Sequence, residues 1–256
     1  MSWRIGSIPY LNVRPLIYGI EDRVVSTVPS RLAELLHRGQ FDAGIVPVAE
    51  VLRHDQYDIL DSIAIGANGP VQSVLLFHRE PIAKLQRIAV DTASRSSVML
   101  LRILLRLVYR NEPEFYPRPV AAKLDEHPAM LVIGDDAIRY AQLAGDRPTG
   151  ILDLGAAWRE FTGLPFVFAV WAGQRGVFHD AGLRNLLLTA KSNGLANIEA
   201  IVQTTTEATP KFRREYLTRS IQYKLGPAEK QAVAKFQEYA VELGLIPARG
   251  DLRYVA

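Results

Sequence analysis

The feature that most constrains the fold of this chain is a repeated alternation. Short, apolar, β-rich runs at residues 3–8, 43–48, 63–65, 74–77, 88–90, 131–133 and 166–171 are separated by longer stretches with helical periodicity. Alternation of this kind builds βα units on largely parallel sheets, since strands covered on both faces read as continuous apolar runs and their crossovers need helices. The spacing predicts a helix over 29–38, with Leu32, Leu35 and Leu36 on one face and Gly39 as its stop. A second helix over 96–110 is apolar around most of its circumference, and Arg102, Arg106 and Arg110 recur along it as a solvated outer stripe. Asn111-Glu112-Pro113 ends that helix, and Pro117-Arg118-Pro119 breaks the chain again. After Gly173 the chain reads as helices. One starts at Pro227, carries Val233, Phe236, Ala240 and Leu243 as its apolar stripe, and stops at Gly244.

A length of 256 residues exceeds what one hydrophobic core usually fills, so two lobes are expected. No Pro/Gly-rich or low-complexity linker separates them, which makes the lobes wound together, with crossovers near 86–90 and 168–173. The expected limits are 1–87 plus 172–256 for a first, discontinuous lobe with a helical C-terminal part, and 88–171 for the second. The balance of 30 Lys+Arg against 27 Asp+Glu, a net +3, is too even for a nucleic-acid binder but leaves room for a small anion. With no cysteine, disulfides, thiolate nucleophiles and cysteine-held metals are excluded. His37, His54, His78, His127 and His179 lack the close spacing of a metal site, so no metal is expected. Walker, G-x-G-x-x-G and G-x-S-x-G patterns are missing, and no cofactor is expected. No apolar stretch approaches the ~20 residues of a membrane span and the opening residues carry no export signal; a cytoplasmic protein without membrane contact is the expectation. An apolar stripe left exposed on the C-terminal helices would be the place for a homodimer contact.

In open sheets of this class the ligand sits beyond the carboxyl ends of strands, where loops lead into helix N-termini. The richest such loop is Asp91-Thr92-Ala93-Ser94-Arg95-Ser96-Ser97. Unpaired backbone N–H groups, the positive end of the helix dipole and crowded hydroxyls favour a carboxylate or phosphate there. One hydroxyl serves to cap the helix, and the surplus points to a ligand. Gly69-Pro70-Val71-Gln72-Ser73 places Gln72 and Ser73 at the mouth of the cleft or forms an ordinary turn. Gly134-Asp135-Asp136 is a second polar strand end or a plain helix cap. Asn12, in the loop that includes Tyr10, offers a neutral donor and acceptor to a ligand or to its own backbone.

The string Ile5-Gly6-Ser7-Ile8-Pro9-Tyr10-Leu11-Asn12 with Pro15-Leu16 resembles the opening of the menaquinone-biosynthesis family that contains chorismate dehydratase of the futalosine pathway. Further blocks agree in order: Phe41-Asp42-Ala43-Gly44-Ile45-Val46-Pro47-Val48, Val71-Gln72-Ser73-Val74-Leu75-Leu76, Val90-Asp91-Thr92-Ala93-Ser94-Arg95-Ser96-Ser97, Ile133-Gly134-Asp135-Asp136-Ala137, and Asp153-Leu154-Gly155 through Trp158 to Thr162-Gly163-Leu164-Pro165-Phe166-Val167. The resemblance covers most of residues 1–175. Ser96 departs from it, standing where the family's D-x-x-S-x-T-S pattern usually has Thr, and keeps the hydroxyl.

The resemblance implies an α/β, two-lobed, periplasmic-binding-protein type II-like fold with a ligand cleft between the lobes. It implies a cofactor-independent lyase that removes water from chorismate, a dianion, to give 3-[(1-carboxyvinyl)oxy]benzoate. On this reading Asn12, Ser73 and Asp135 are catalytic, while Tyr10, Gln72, Thr92, Ser94, Arg95, Ser96, Ser97 and Gly134 bind substrate. Ser94, Ser96 and Ser97 would hold one carboxylate, with Ser73 and Asn12 holding the rest. The substrate's own enolpyruvyl carboxylate would take the proton, Asp135 being the second candidate. The alternatives are the 1,4-dihydroxy-6-naphthoate synthase of the same pathway, where a histidine would be expected in the site, and a non-catalytic solute-binding protein for a small anion.

Overall fold

A computed structural model of the chain describes residues 3–91, 94–117, 126–144 and 150–256. Its strands, in chain order, are β1 (Ile5–Ser7), β2 (Val24–Ser26), β3 (Ala43–Pro47), β4 (Tyr57–Ala67), β5 (Val74–His78), β6 (Arg87–Val90), β7 (Glu114–Pro117), β8 (Ala129–Ile133), β9 (Gly150–Asp153), β10 (Phe166–Gln174) and β11 (Tyr254–Val255). The helices are α1 (Pro29–His37), α2 (Val48–Arg53), α3 (Arg95–Leu107), α4 (Gly134–Ala144), α5 (Leu154–Thr162), α6 (Ala181–Ala196), α7 (Ile198–Thr204), α8 (Pro210–Glu215) and α9 (Pro227–Glu242).

Two sheets form, ordered β11-β4-β10-β3-β1-β2 and β7-β6-β8-β5-β9. Both are mixed rather than largely parallel. β10 runs antiparallel to β3 and β4, and β5 runs antiparallel to β8 and β9, while β1, β2 and β3 are parallel to one another, as are β6, β7 and β8. The reversed strands are the ones that arrive from the other lobe: the chain leaves β4 of the first sheet for β5 of the second, and returns through α5 to β10 of the first. The lobe limits expected at 87/88 and 171/172 therefore shift. β5 belongs to the second sheet and β10 to the first, so the crossovers lie between Ala67 and Val74 and between Thr162 and Phe166.

Most interior strands are buried on both faces, which is why they read as apolar runs; β10 is buried along all but its last residue, while β4 is interrupted at Asp61 and Ser62. One large apolar cluster runs through both lobes, and a smaller one of Leu75, Phe77, Ala89, Met130, Val132 and Ala137 packs on the second sheet. At the crossover, Trp158 of α5 packs edge-on against Phe166 of β10 at 5.3 Å and Phe236 of α9 at 6.0 Å, and its indole N–H donates to the Pro165 carbonyl. Helix α9 starts at Pro227 and ends before Gly244, whose φ of +67° needs glycine. Helix α3 stops at Leu107, short of the expected 110, because Arg110 turns to a φ of +53° and Asn111 ties back to the Ile82 and Leu85 carbonyls.

The arginines of α3 do not form a solvated stripe. Arg102 lies over the Phe115 ring at 4.1 Å, and Arg106 donates to the Leu243 carbonyl and pairs with Glu112. Among the described residues, α6 to α9 expose one large apolar side chain, Leu195, so the stripe that would have carried a homodimer contact is not there. No helix of the described residues is long and apolar enough to cross a membrane.

Candidate active site

Strand ends from both sheets converge on one small cavity, of about 70 Å³. From the first lobe come Tyr10 and Asn12, which follow β1, and Pro47 at the end of β3; from the second come Ser73 before β5, the start of α3 after β6, and Gly134 after β8. Of the residues expected to bind or act, Tyr10, Asn12, Ser73, Ser94, Arg95, Ser96, Ser97 and Gly134 line it. Gln72 and Asp135 are not among its lining residues, and Thr92 lies outside the described residues.

At the start of α3 the hydroxyls of Ser94, Ser96 and Ser97 are all buried. Ser94 occupies the N-cap position but makes no side-chain cap bond, so its hydroxyl is not spent on the helix. Ser96 Oγ accepts from the Ala49 N–H at 3.1 Å and keeps its own hydrogen to give. With the N-terminal N–H groups and dipole of a 13-residue helix, this wall offers donors that suit an acceptor-only anion. Arg95 adds a guanidinium. Its partner is Glu50 of α2, 1% exposed and not among the expected site residues; Glu50 also lies 3.4 Å from His54 Nε2.

The fold thus brings together a group that sequence spacing did not suggest: ligand atoms of His37, Glu50 and His54 lie within 4.8 Å of one another. Its charge environment disfavours a divalent cation. Glu50 is held by Arg95, and burial, followed by repulsion from Arg95, lowers the pKa of Arg53 alongside.

Asp135 is not one of the residues that line the cavity. Its carboxylate accepts the Leu11 N–H at 3.1 Å and 3.3 Å, tying α4 of the second lobe to the turn that carries Asn12 in the first. Burial raises its pKa to about 6, and the Leu11 hydrogen bond opposes the rise. Gly134 before it has a φ of +64°, and a Cβ there would lie 2.9 Å from the Tyr10 ring, so only glycine lets this turn press against Tyr10.

Gln72, also outside the lining residues, is tied down through its backbone. It has a φ of +61°, and its N–H and that of Val71 donate to Asp153 at 2.7 Å and 3.0 Å, while Asp153 also caps α5 through Ala156 N–H. Asp153 thereby aims Ser73 at the cavity. Ser73 Oγ accepts from the hydroxyl of Tyr216 at 2.7 Å. Tyr216 is fully buried in the helical C-terminal part, where the residue pattern signalled only core. Further ties cross the lobes: Ser96 to Ala49, Arg95 to Glu50, Asp135 to Leu11 and Tyr216 to Ser73. No histidine lines the cavity among the described residues.

A family model described as menaquinone biosynthesis matches residues 3–242. The chorismate dehydratase of Thermus thermophilus is 32% identical over 78% of this chain and 80% of its own length. That of Campylobacter jejuni is 28% identical over 94% of this chain and 98% of its own. The fold is shared with the periplasmic aliphatic sulphonate binding protein of Escherichia coli, at a TM-score of 0.64 and 17% identity over 98% of this chain and 90% of that one. A two-lobed binding-protein scaffold, a cleft assembled from the motif-bearing strand ends and a family match across nearly the whole chain lead to one conclusion: the chain belongs to the menaquinone biosynthesis family.

Proposed function

We propose that the cleft dehydrates chorismate to 3-[(1-carboxyvinyl)oxy]benzoate, a carbon–oxygen lyase reaction that needs neither metal nor redox cofactor. The observation that carries this reading is the polar division of the cavity. Unspent serine hydroxyls, the α3 N-terminus and Arg95 make one wall fit for a carboxylate, and Asn12 and Ser73 stand on the remainder. The names of the Thermus thermophilus and Campylobacter jejuni relatives supply the substrate.

In this reaction the C–H bond at the ether-bearing ring carbon breaks, its electron pair forms the new ring double bond, and the neighbouring C–O bond breaks to release the hydroxyl. The proton and the hydroxyl leave together as water, and the ring becomes aromatic. The protein's contribution is orientation and charge placement in a water-poor cleft. The enolpyruvyl group is joined through its ether oxygen to the carbon being deprotonated, and its carboxylate reaches back to serve as the base. The placement of Asp135 supports this, since that carboxylate is engaged by Leu11 N–H and is not a lining group. The naphthoate synthase reading loses support because no described histidine lines the cavity.

The test is to mix chelator-treated protein with chorismate and follow the loss of water by mass spectrometry, with Asn12→Ala as the matched control. Product from wild type alone supports the reading. Tight binding of chorismate with no product would replace it with a solute-binding role.

A further inference from the structure

A second cavity, of about 590 Å³, lies along α3 and shares a single lining residue, Arg95, with the candidate active site. Arg95, Val98, Met99 and Arg102 stand at i, i+3, i+4 and i+7, so one stripe of α3 forms a wall of it. Arg53, at the end of α2, enters from the first lobe, and Phe115 and Tyr116 of β7 enter from the second. Three guanidiniums thus line one recess, and among the described residues no carboxylate does. Arg95 is held by Glu50, but the half-buried Arg53 and Arg102 make no ion pair or hydrogen bond among the described residues. Arg102 lies over the Phe115 ring at 4.1 Å, a contact that spends none of its five N–H donors. Burial and the neighbouring Arg95 both disfavour the charge on Arg53, and Glu50, the carboxylate that opposes them, is already engaged with Arg95. Half-buried cations left in this state cost stability that an anion between them would recover.

We infer that this recess is a second binding site, for a planar organic dianion of the aromatic dicarboxylate class: Arg53 and Arg102 take the carboxylates, and Val98, Met99 and Phe115 cover the ring. Two guanidiniums without a counter-ion match two negative charges, and the guanidinium fork suits a carboxylate in particular. A compact inorganic anion would answer the charges but leave the apolar stripe uncovered. The volume falls within the roughly 300–1,000 Å³ of sites that enclose small organic ligands. Arg95 places the recess beside the candidate active site, yet Arg53 and Arg102 are not among the residues that line the latter, which makes the two sites separable by substitution.

The test titrates isophthalate, a planar aromatic dianion, calorimetrically into the full chain. Wild type is expected to bind it, and the affinity of one equivalent is expected to fall at least ~10-fold in Arg53→Gln and in Arg102→Gln, the scale of a hydrogen bond to a charged group. Ser97→Ala, which alters the active-site wall and not this recess, is expected to leave that equivalent within about threefold of wild type. Neither arginine substitution strands a carboxylate, so both variants are expected to fold, and Arg102→Gln stands in should Arg53→Gln fail. Inorganic phosphate, which carries the charge without the ring, is expected to bind at least ~10-fold more weakly than isophthalate. Equal affinity for phosphate would overturn the aromatic class of the ligand. No heat from wild type, an affinity unchanged in both arginine variants, or a loss confined to Ser97→Ala would overturn the site itself. Chorismate takes no part in the titration, so a failure of the reaction assigned above would leave this result standing.

Discussion

Asp135→Asn separates burial from catalysis in a single variant. The carboxyl moves from its ordinary 3.8 to about 6 because burial penalises the ionised form more than the Leu11 N–H rewards it. At about 1.4 kcal/mol per tenfold, that displacement amounts to roughly 3 kcal/mol, and solvent reaching the partly exposed side chain reduces it to about 1–2 kcal/mol. The sign follows from linkage: between pH 4 and 6 the folded chain binds more protons than the unfolded one, so folding stability falls as pH rises through that window. Asparagine has the same shape, presents an oxygen to Leu11 N–H and never ionises. The variant should match wild type in urea denaturation near pH 4 and exceed it by about 1–2 kcal/mol from pH 7 upward. Its rate of water loss from chorismate should remain within a few-fold of wild type. A variant less stable than wild type at pH 7.5 would show that the Leu11 hydrogen bond outweighs burial and would refute the argument. Abolished turnover with intact ligand binding would make Asp135 the base.

Three other perturbations test separate parts of the site. Gly134→Ala puts a methyl 2.9 Å from the Tyr10 ring at a φ of +64°, so the melting temperature should drop by an amount equivalent to at least ~1–2 kcal/mol and turnover should fall with it; wild-type values for both would show that this turn yields easily. Arg95→Ala strands the buried Glu50, expected to cost about 2–3 kcal/mol in denaturation, and removes the guanidinium from the carboxylate wall, raising KM at least ~10-fold. A KM unchanged in that variant would confine Arg95 to holding Glu50. Zinc titrated calorimetrically into the chelator-treated protein should give no binding that depends on His37, because Arg95 and Arg53 oppose a cation beside Glu50; a strong signal lost in His37→Ala would contradict that electrostatic argument.

The strands legible in the sequence were those whose burial leaves an apolar run: β1, β3, β5, β6, β8 and β10, with β4 seen only over 63–65 because Asp61 and Ser62 interrupt it, all interior to their sheets. β2, β7, β9 and β11 passed unnoticed, and each is an edge strand with few buried residues. An edge strand is held by main-chain bonds on one side only and need not be apolar, so periodicity has little to register. The lobe boundaries went astray for a related reason. Interior strands look alike whichever sheet they join, and pairing partners, not composition, assign β5 to one and β10 to the other.

The candidate site divides along a similar line. The groups facing the cavity sit in loops at strand ends and are named by short strings, so Asn12, Ser73 and the serines of α3 were visible in the sequence. The groups that aim them come from far along the chain: Glu50 holds Arg95, Asp153 holds the turn before Ser73, and Tyr216 reaches Ser73 across 143 residues. In isolation each of these supports reads as ordinary, Glu50 as a helical carboxylate, Asp153 as a cap and Tyr216 as core. What marks Glu50 and Tyr216 is burial, and what marks all three is a polar contact to a cavity-lining residue, a property of pairs that no single stretch of sequence contains. A polar side chain buried this deeply costs stability unless its hydrogen bonds are met, so their presence beneath the cavity wall is best understood as support for the orientation of the residues above them.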